Sequence, residues 1–119
     1  MLGQNPILPN NDCRKEPKTM FDLNDAALLL EYLCHGFQTL ESPEECKAFL
    51  EDLCTPSELT EMSRRLQAAR MLKDNYIYSE IAAKTGLSTA TISRVNRCLK
   101  YGNEGYLTVL KRLEKEEHR

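Results

Sequence analysis

The run YSEIAAKTGLSTATISRVNRCL, from Tyr78 to Leu99, constrains this chain more than any other stretch. It reads as two short helices joined by a tight turn. In the first helix, Ile81 and Ala82 are the inward positions, and Ala82 is small enough for a second helix to cross close above it. Gly86 is free to take the positive φ that a sharp corner needs, with no Cβ in the way. Leu87 plugs the corner. Ser88 is placed to cap the next helix, whose inward positions are Ile92 and Val95, with Leu99 one turn further on. This is the spacing of a helix-turn-helix over 78–99, with a recognition helix at about 89–99.

The outward positions of that second helix are Thr89, Ala90, Thr91, Ser93, Arg94 and Arg97. Short hydroxyls, a methyl group and two guanidiniums suit a major-groove surface, because they reach base edges without crowding them. An ordinary helical hairpin inside an α-helical core would share the apolar spacing. Charge separates the two. From Ser63 to Tyr101 there are eight Lys and Arg (Arg64, Arg65, Arg70, Lys73, Lys84, Arg94, Arg97, Lys100) against two acids, Asp74 and Glu80. The whole chain carries a net charge of −2, so positive charge is concentrated where the motif lies. A patch of this kind fits phosphate, whose neutralisation supplies most sequence-independent DNA affinity.

The segment LCTPSELTEMSRRLQAARMLK, followed by YSEIAAKTGLSTATISRVNRCLKYGN, resembles the tryptophan repressor superfamily, and within it the tryptophan-repressor-like branch of Gram-positive bacteria. The resemblance runs from Phe21 to Leu113, and TATISRVNRCLKYGN is its most specific part. It implies an all-α, intertwined homodimer that binds double-stranded operator DNA. It also implies a candidate ligand pocket between the long central helix and the recognition helix. There Arg65 and Arg94 match the two arginines that hold L-tryptophan in the repressor. The backbone around Thr55 matches the place that receives the ligand's amino group. Two positions depart: Val95 stands where the repressor has a glycine that gives the indole room, and Cys98 where it has a serine. Three extra carbons in a snug pocket typically cost about 1–3 kcal/mol or more. The departures therefore argue against tryptophan as a required corepressor. Arg65 has a second reading, as a surface ion pair with Glu61 one turn earlier.

At 119 residues the chain reads as a domain at 21–119 preceded by an N-terminal arm or added leader over 1–20. Met20 is a candidate natural start, and Arg14, Lys15 and Lys18 are the basic groups of the arm. A chain of this size builds a modest core, which dimerisation would extend. A first helix starts at Asp22 or Asn24 and runs to about Phe37. Its run AALLLEYL is apolar on more than one side, as expected of a helix interlocked with a second subunit. Ser42-Pro43-Glu44-Glu45 starts a second helix, with Glu45 reaching back to the cap amide, and Cys46, Phe49, Leu50 and Leu53 along one stripe. Thr55-Pro56-Ser57-Glu58 opens a long third helix with Leu59, Met62, Leu66, Ala69 and Leu72 inward, ending near Asp74. After the motif, Lys100 to Gly105 turn into a last amphipathic helix bearing Tyr106, Leu107, Val109, Leu110 and Leu113, and EKEEHR follows as a solvated tail. The expectation is an all-α fold of about six helices.

The function read from this pattern is a sequence-specific transcriptional regulator, a repressor acting as a homodimer. Thr89, Ala90, Thr91 and Ser93 face base edges; Ser88, Arg94, Arg97 and Lys100 complete the recognition surface. Ser79 and Lys84 on the first motif helix meet the DNA backbone. The alternative is a helical adaptor that docks a protein through the same hairpin, without DNA. An enzyme has little support: neither His35 nor His118 has partners for a catalytic triad, and there is no Gly-rich phosphate loop. Cys34 and His35 lack the further ligands a metal site needs, so no catalytic residue, metal or cofactor is assigned; L-tryptophan or another small effector is the one ligand in view. Five cysteines, an odd number without C-x-x-C spacing, read as reduced and mostly buried thiols of a cytoplasmic protein. No apolar run approaches a membrane span, and no signal peptide is evident.

Overall fold

A computed structural model of the chain describes residues 23–118, and the expected arm over 1–20, with Cys13, lies outside the described residues. Six helices follow one another: α1 (Ala26–Gln38), α2 (Pro43–Leu53), α3 (Pro56–Lys73), α4 (Tyr78–Thr85), α5 (Thr89–Tyr101) and α6 (Gly105–Glu117). No strand occurs among the described residues, so the all-α expectation holds. The chain divides into two compact units, Met1–Lys47 and Ala48–Arg119.

In the first unit, α1 is capped by Asp25, whose Oδ1 accepts hydrogen bonds from the Ala27 and Leu28 amides at 3.0 and 3.3 Å. The start therefore falls just beyond the expected Asp22 or Asn24, because Asp25 is the carboxylate that directly precedes the uninterrupted helical run. No residue of α1 is buried, and Leu30 is 59% exposed. The Ser42 hydroxyl accepts from the Glu45 amide at 3.1 Å, and the Glu45 carboxylate accepts from the Glu41 amide at 2.8 Å. The reach back expected of Glu45 thus goes one residue beyond the cap. No residue of α2 is buried either.

The second unit is built on α3. A capping box starts it: the Glu58 amide donates to Thr55 Oγ1 at 3.1 Å, and the Thr55 amide donates to Glu58 Oε1 at 2.8 Å. Two core clusters then form on either side of Ala68 and Ala69, both fully buried. Ala68 joins Met71, Ile81, Leu87 and Ile92, with Leu72, Tyr78 and Ala82 packed against them. Ala69 joins Val95 and Leu110, with Leu66, Leu72, Leu99 and Tyr106 around them. Successive residues on a helix point about 100° apart. Two adjacent alanines therefore let neighbours approach α3 closely from two directions.

That arrangement corrects the expected single stripe on α3. Leu66 and Leu72 are only partly buried and Met62 is exposed, while Ala68 and Met71, outside the stripe, are buried. The last helix is corrected as well. The EKEEHR segment is exposed over 114–118, as expected, but it is not a tail beyond the helix, since α6 continues to Glu117. Arg70 makes a two-pronged pair with Glu117, both distances 2.9 Å, and Lys73 lies 3.4 Å from Glu114. On α6 only Leu110 is buried, Tyr106 is partly buried, and Leu107, Val109 and Leu113 are exposed. The cysteines depart from expectation too. Cys34 and Cys98 are exposed and Cys46 and Cys54 half-buried, all four as free thiols. Cys34 lies on α1, Cys46 on the equally unburied α2 and Cys54 directly after it, and Cys98 lies off the Ile92–Val95–Leu99 seam of α5.

Candidate nucleic-acid interface

The motif forms where the sequence places it. Gly86 ends α4 at φ +77°, a left-handed conformation that a Cβ would strain. Leu87 behind it is buried, and the Ser88 hydroxyl caps α5 by accepting from the Thr91 amide at 3.1 Å. Ile81 and Ile92, both fully buried, lock α4 against α5. α5 runs two residues past Leu99. It stops at Gly102, where a Cβ would stand 2.5 Å from the Cys98 carbonyl oxygen.

One residue of the turn was not anticipated. Thr85 is buried, its hydroxyl donates to the Ile81 carbonyl at 2.7 Å, and it accepts from the Leu87 amide at 3.2 Å. It satisfies a turn amide that the left-handed step at Gly86 leaves without a helical partner. Its sequence signal was a hydroxyl residue directly before the turn glycine.

With Ile92, Val95 and Leu99 inward, most of the remaining α5 positions are presented outward. Thr89, Ala90, Ser93, Arg94, Arg97 and Lys100 are all exposed. Ala90, Ser93, Arg94 and Arg97 recur at spacings of three and four and so share one face. Thr91 is only half-exposed, and its hydroxyl is held by Ser88, which donates to it at 3.1 Å. Ser88 and Thr91 thus spend hydrogen bonds on the cap, whereas no such bond engages Thr89 or Ser93 among the described residues. On α4, Ser79 and Lys84 are exposed.

Tertiary pairing sorts the cations. Arg65 is 3.8 Å from Glu61 on its own helix, and Arg70 and Lys73 are engaged by α6. Lys84, Arg94, Arg97 and Lys100 form no ion pair among the described residues, and neither does Arg64, whose guanidinium lies over the turn beside Gly86. Of the eight cations between Ser63 and Tyr101, the five without an ion pair among the described residues therefore surround the helix-turn-helix.

The candidate ligand-pocket residues occupy different settings. Val95 is 3% exposed and packed into the α3–α5–α6 cluster. Cys98 and Arg94 are exposed, and Arg65 is half-exposed beside Glu61. The amide and hydroxyl of Thr55 are both committed to the capping box. That box holds the Glu58 carboxyl below its ordinary value, through the Thr55 amide first and its hydroxyl second. A shallow cleft of about 170 Å³ lies elsewhere, between α3 and α6, lined by Arg70, Lys73, Leu110, Leu113, Glu114 and Glu117 among others.

The family model for the Trp repressor protein matches residues 29–114, most of the chain. The chain belongs to the Trp repressor family. The Bacillus subtilis (strain 168) protein YerC, itself uncharacterised, is 46% identical over 88 residues, covering 74% of this chain and 85% of that protein. A solved structure of a TrpR-like protein from Eubacterium eligens superposes with a TM-score of 0.70 at 46% identity, covering 73% of this chain and 90% of that one. A Trp repressor candidate from Staphylococcus aureus gives a TM-score of 0.69 at 42% identity, over 80% and 96% of the two chains. The Trp repressor family is one of DNA-binding regulators, not of enzymes, and its members generally form dimers. Among the described residues no helix is long and apolar enough to cross a membrane.

Proposed function

We propose that this member of the Trp repressor family is a sequence-specific transcriptional repressor. It binds operator DNA as a homodimer and lays α5 in the major groove. The observation that carries the reading is the outward face of α5. Exposed short side chains (Thr89, Ala90, Ser93) lie beside exposed cations that have no ion-pair partner among the described residues (Arg94, Arg97, Lys100). Hydroxyl and methyl groups discriminate base edges, and guanidinium groups reach guanine or phosphate. Ser79 and Lys84 meet the backbone from α4, while Ser88 and Thr91 act mainly by fixing the start of α5. The homodimer is supported by α1, which is apolar around much of its surface and has no buried residue within the single chain. Two recognition helices related by a two-fold axis read half-sites about one DNA turn apart.

The same reading makes DNA binding independent of L-tryptophan. Val95 fills the ground between α3 and α5 with a branched side chain, and the Arg65 guanidinium already faces Glu61. The test is an unbiased selection of bound duplexes from a random library near physiological salt, with and without L-tryptophan. An enriched two-fold-symmetric site in both arms is the expected result. Enrichment only with tryptophan would restore a corepressor. No enrichment in either arm would turn the hairpin into a protein-docking surface.

A further inference from the structure

We propose that Arg64 is a phosphate-binding residue of the DNA interface, contributed by α3 from outside the helix-turn-helix. This rests on the DNA-binding reading above. The placement is specific. A Cβ built on Gly86 would lie 3.7 Å from Arg64 Nη1 and 3.8 Å from its Cζ, so the guanidinium sits on the turn at the glycine. Gly86 is there because the backbone needs φ +77°. Its missing side chain also leaves open space beside the turn, and the Arg64 head fills it.

The neighbouring arginine shows why the position matters. Arg65 projects from the same turn of α3 and is 3.8 Å from Glu61, so its charge is partly answered within the helix. Arg64 is exposed and has no acidic partner among the described residues. In a helix-turn-helix on DNA, the first helix crosses the backbone and the second enters the groove. The turn between them therefore passes the phosphate wall of the groove. A guanidinium held on that turn faces phosphate and can bind two of its oxygens at once. It carries no base information. Its consequences are affinity, salt dependence and the register in which α5 enters.

The experiment measures association of the full chain with its selected duplex, and with a random duplex at low salt, across a salt series. Arg64→Gln and Arg64→Lys are the variants. Arg97→Gln serves as a motif reference and Arg70→Gln as a control whose cation is engaged by Glu117. Each phosphate contact contributes a slope of about −0.9 to log K against log salt. Arg64→Gln should flatten the slope by about that much per protomer. A dimer then loses about tenfold less affinity than wild type between ~50 and ~200 mM salt. Sequence preference should be unchanged, Arg64→Lys should keep the wild-type slope, and Arg70→Gln should be silent. A role limited to packing on the turn would instead lower affinity equally at every salt concentration. If Arg64→Gln keeps the wild-type slope while Arg97→Gln flattens it, Arg64 is not a phosphate contact and the DNA-binding reading stands. If the wild-type chain binds neither duplex, both readings fall together.

Discussion

Replacing Val95 by glycine tests both the packing of the motif and its independence of an effector. Val95 is 3% exposed, between Ala69 on α3 and Leu110 on α6, with Leu66, Leu72, Leu99 and Tyr106 around it. The substitution removes three buried carbons, at about 0.8 kcal/mol each. It also places glycine inside a helix, at a further cost of about half a kcal/mol relative to valine. The expected loss is about 3 kcal/mol, before any cost of a residual cavity. For a domain of this size that lowers Tm by roughly 15 °C. Val95→Ala removes two of the carbons without the glycine penalty and should lose about 2 kcal/mol.

The assay is thermal and urea unfolding of the wild type and both variants, each with and without L-tryptophan. A ligand that binds only the folded protein stabilises it by about 2.7 kcal/mol at a hundred times its Kd. The wild type should show no such shift at any tryptophan concentration up to solubility. Two results refute the reasoning. A loss below about 1 kcal/mol for Val95→Gly would mean that the side chain does not hold α3, α5 and α6 together as the buried contacts imply. A wild-type Tm that climbs with tryptophan would mean that Val95 and the ligand coexist.

Thr85→Val keeps the shape of the turn but leaves the Leu87 amide without its 3.2 Å acceptor. Urea unfolding should show a loss of about 1–3 kcal/mol, larger than for Thr89→Val on the exposed face. The Glu58 carboxyl is held below its ordinary value by Thr55, so the charged form is favoured by folding. Its contribution is present above the unfolded pKa and fades as pH falls through the folded one. Glu58→Gln should therefore lower stability near neutral pH and make no difference in strong acid, measured as Tm against pH. Glu117→Gln breaks the two-pronged pair with Arg70, but both side chains are about half exposed, 50% and 48%. The expected cost is at most about 1 kcal/mol at low salt, vanishing at high salt in the same unfolding assay.

The motif was legible because short-range chemistry specifies it. A left-handed glycine, a hydroxyl cap and an Ile–Val seam all act within a few residues, and 78–99 formed as read. The same holds for the Thr55–Glu58 box. The third helix was harder, because a single apolar stripe presumes a single partner surface. Ala68 and Ala69 serve two, and residues as small as alanine leave little trace in a hydropathy pattern. The cysteines were misread for a related reason. Burial was inferred from residue type, but α1 and α2 bury nothing within one chain, so Cys34 and Cys46 are not covered by it.

Charge was the least legible property, and it is the one on which the interface depends. Of the eight cations between Ser63 and Tyr101, only Arg65 reads as paired in the sequence, with Glu61 one turn earlier. In the fold, Arg65 is answered by Glu61, and Arg70 and Lys73 by Glu117 and Glu114. Those last two acids lie in a segment that read as a solvated tail. Closing α6 onto α3 therefore does more than cover Leu110. It engages the cations at the far end of α3, whereas Arg64, Lys84, Arg94, Arg97 and Lys100, around the helix-turn-helix, form no ion pair among the described residues. A field attracts phosphate where its charges lack nearby counter-charges, so these five set the direction of approach. If so, Glu114→Gln with Glu117→Gln, which frees Arg70 and Lys73, should strengthen binding to random duplex at low salt. The preference for the selected site over random sequence should fall, because added charge far from α5 favours DNA of any sequence.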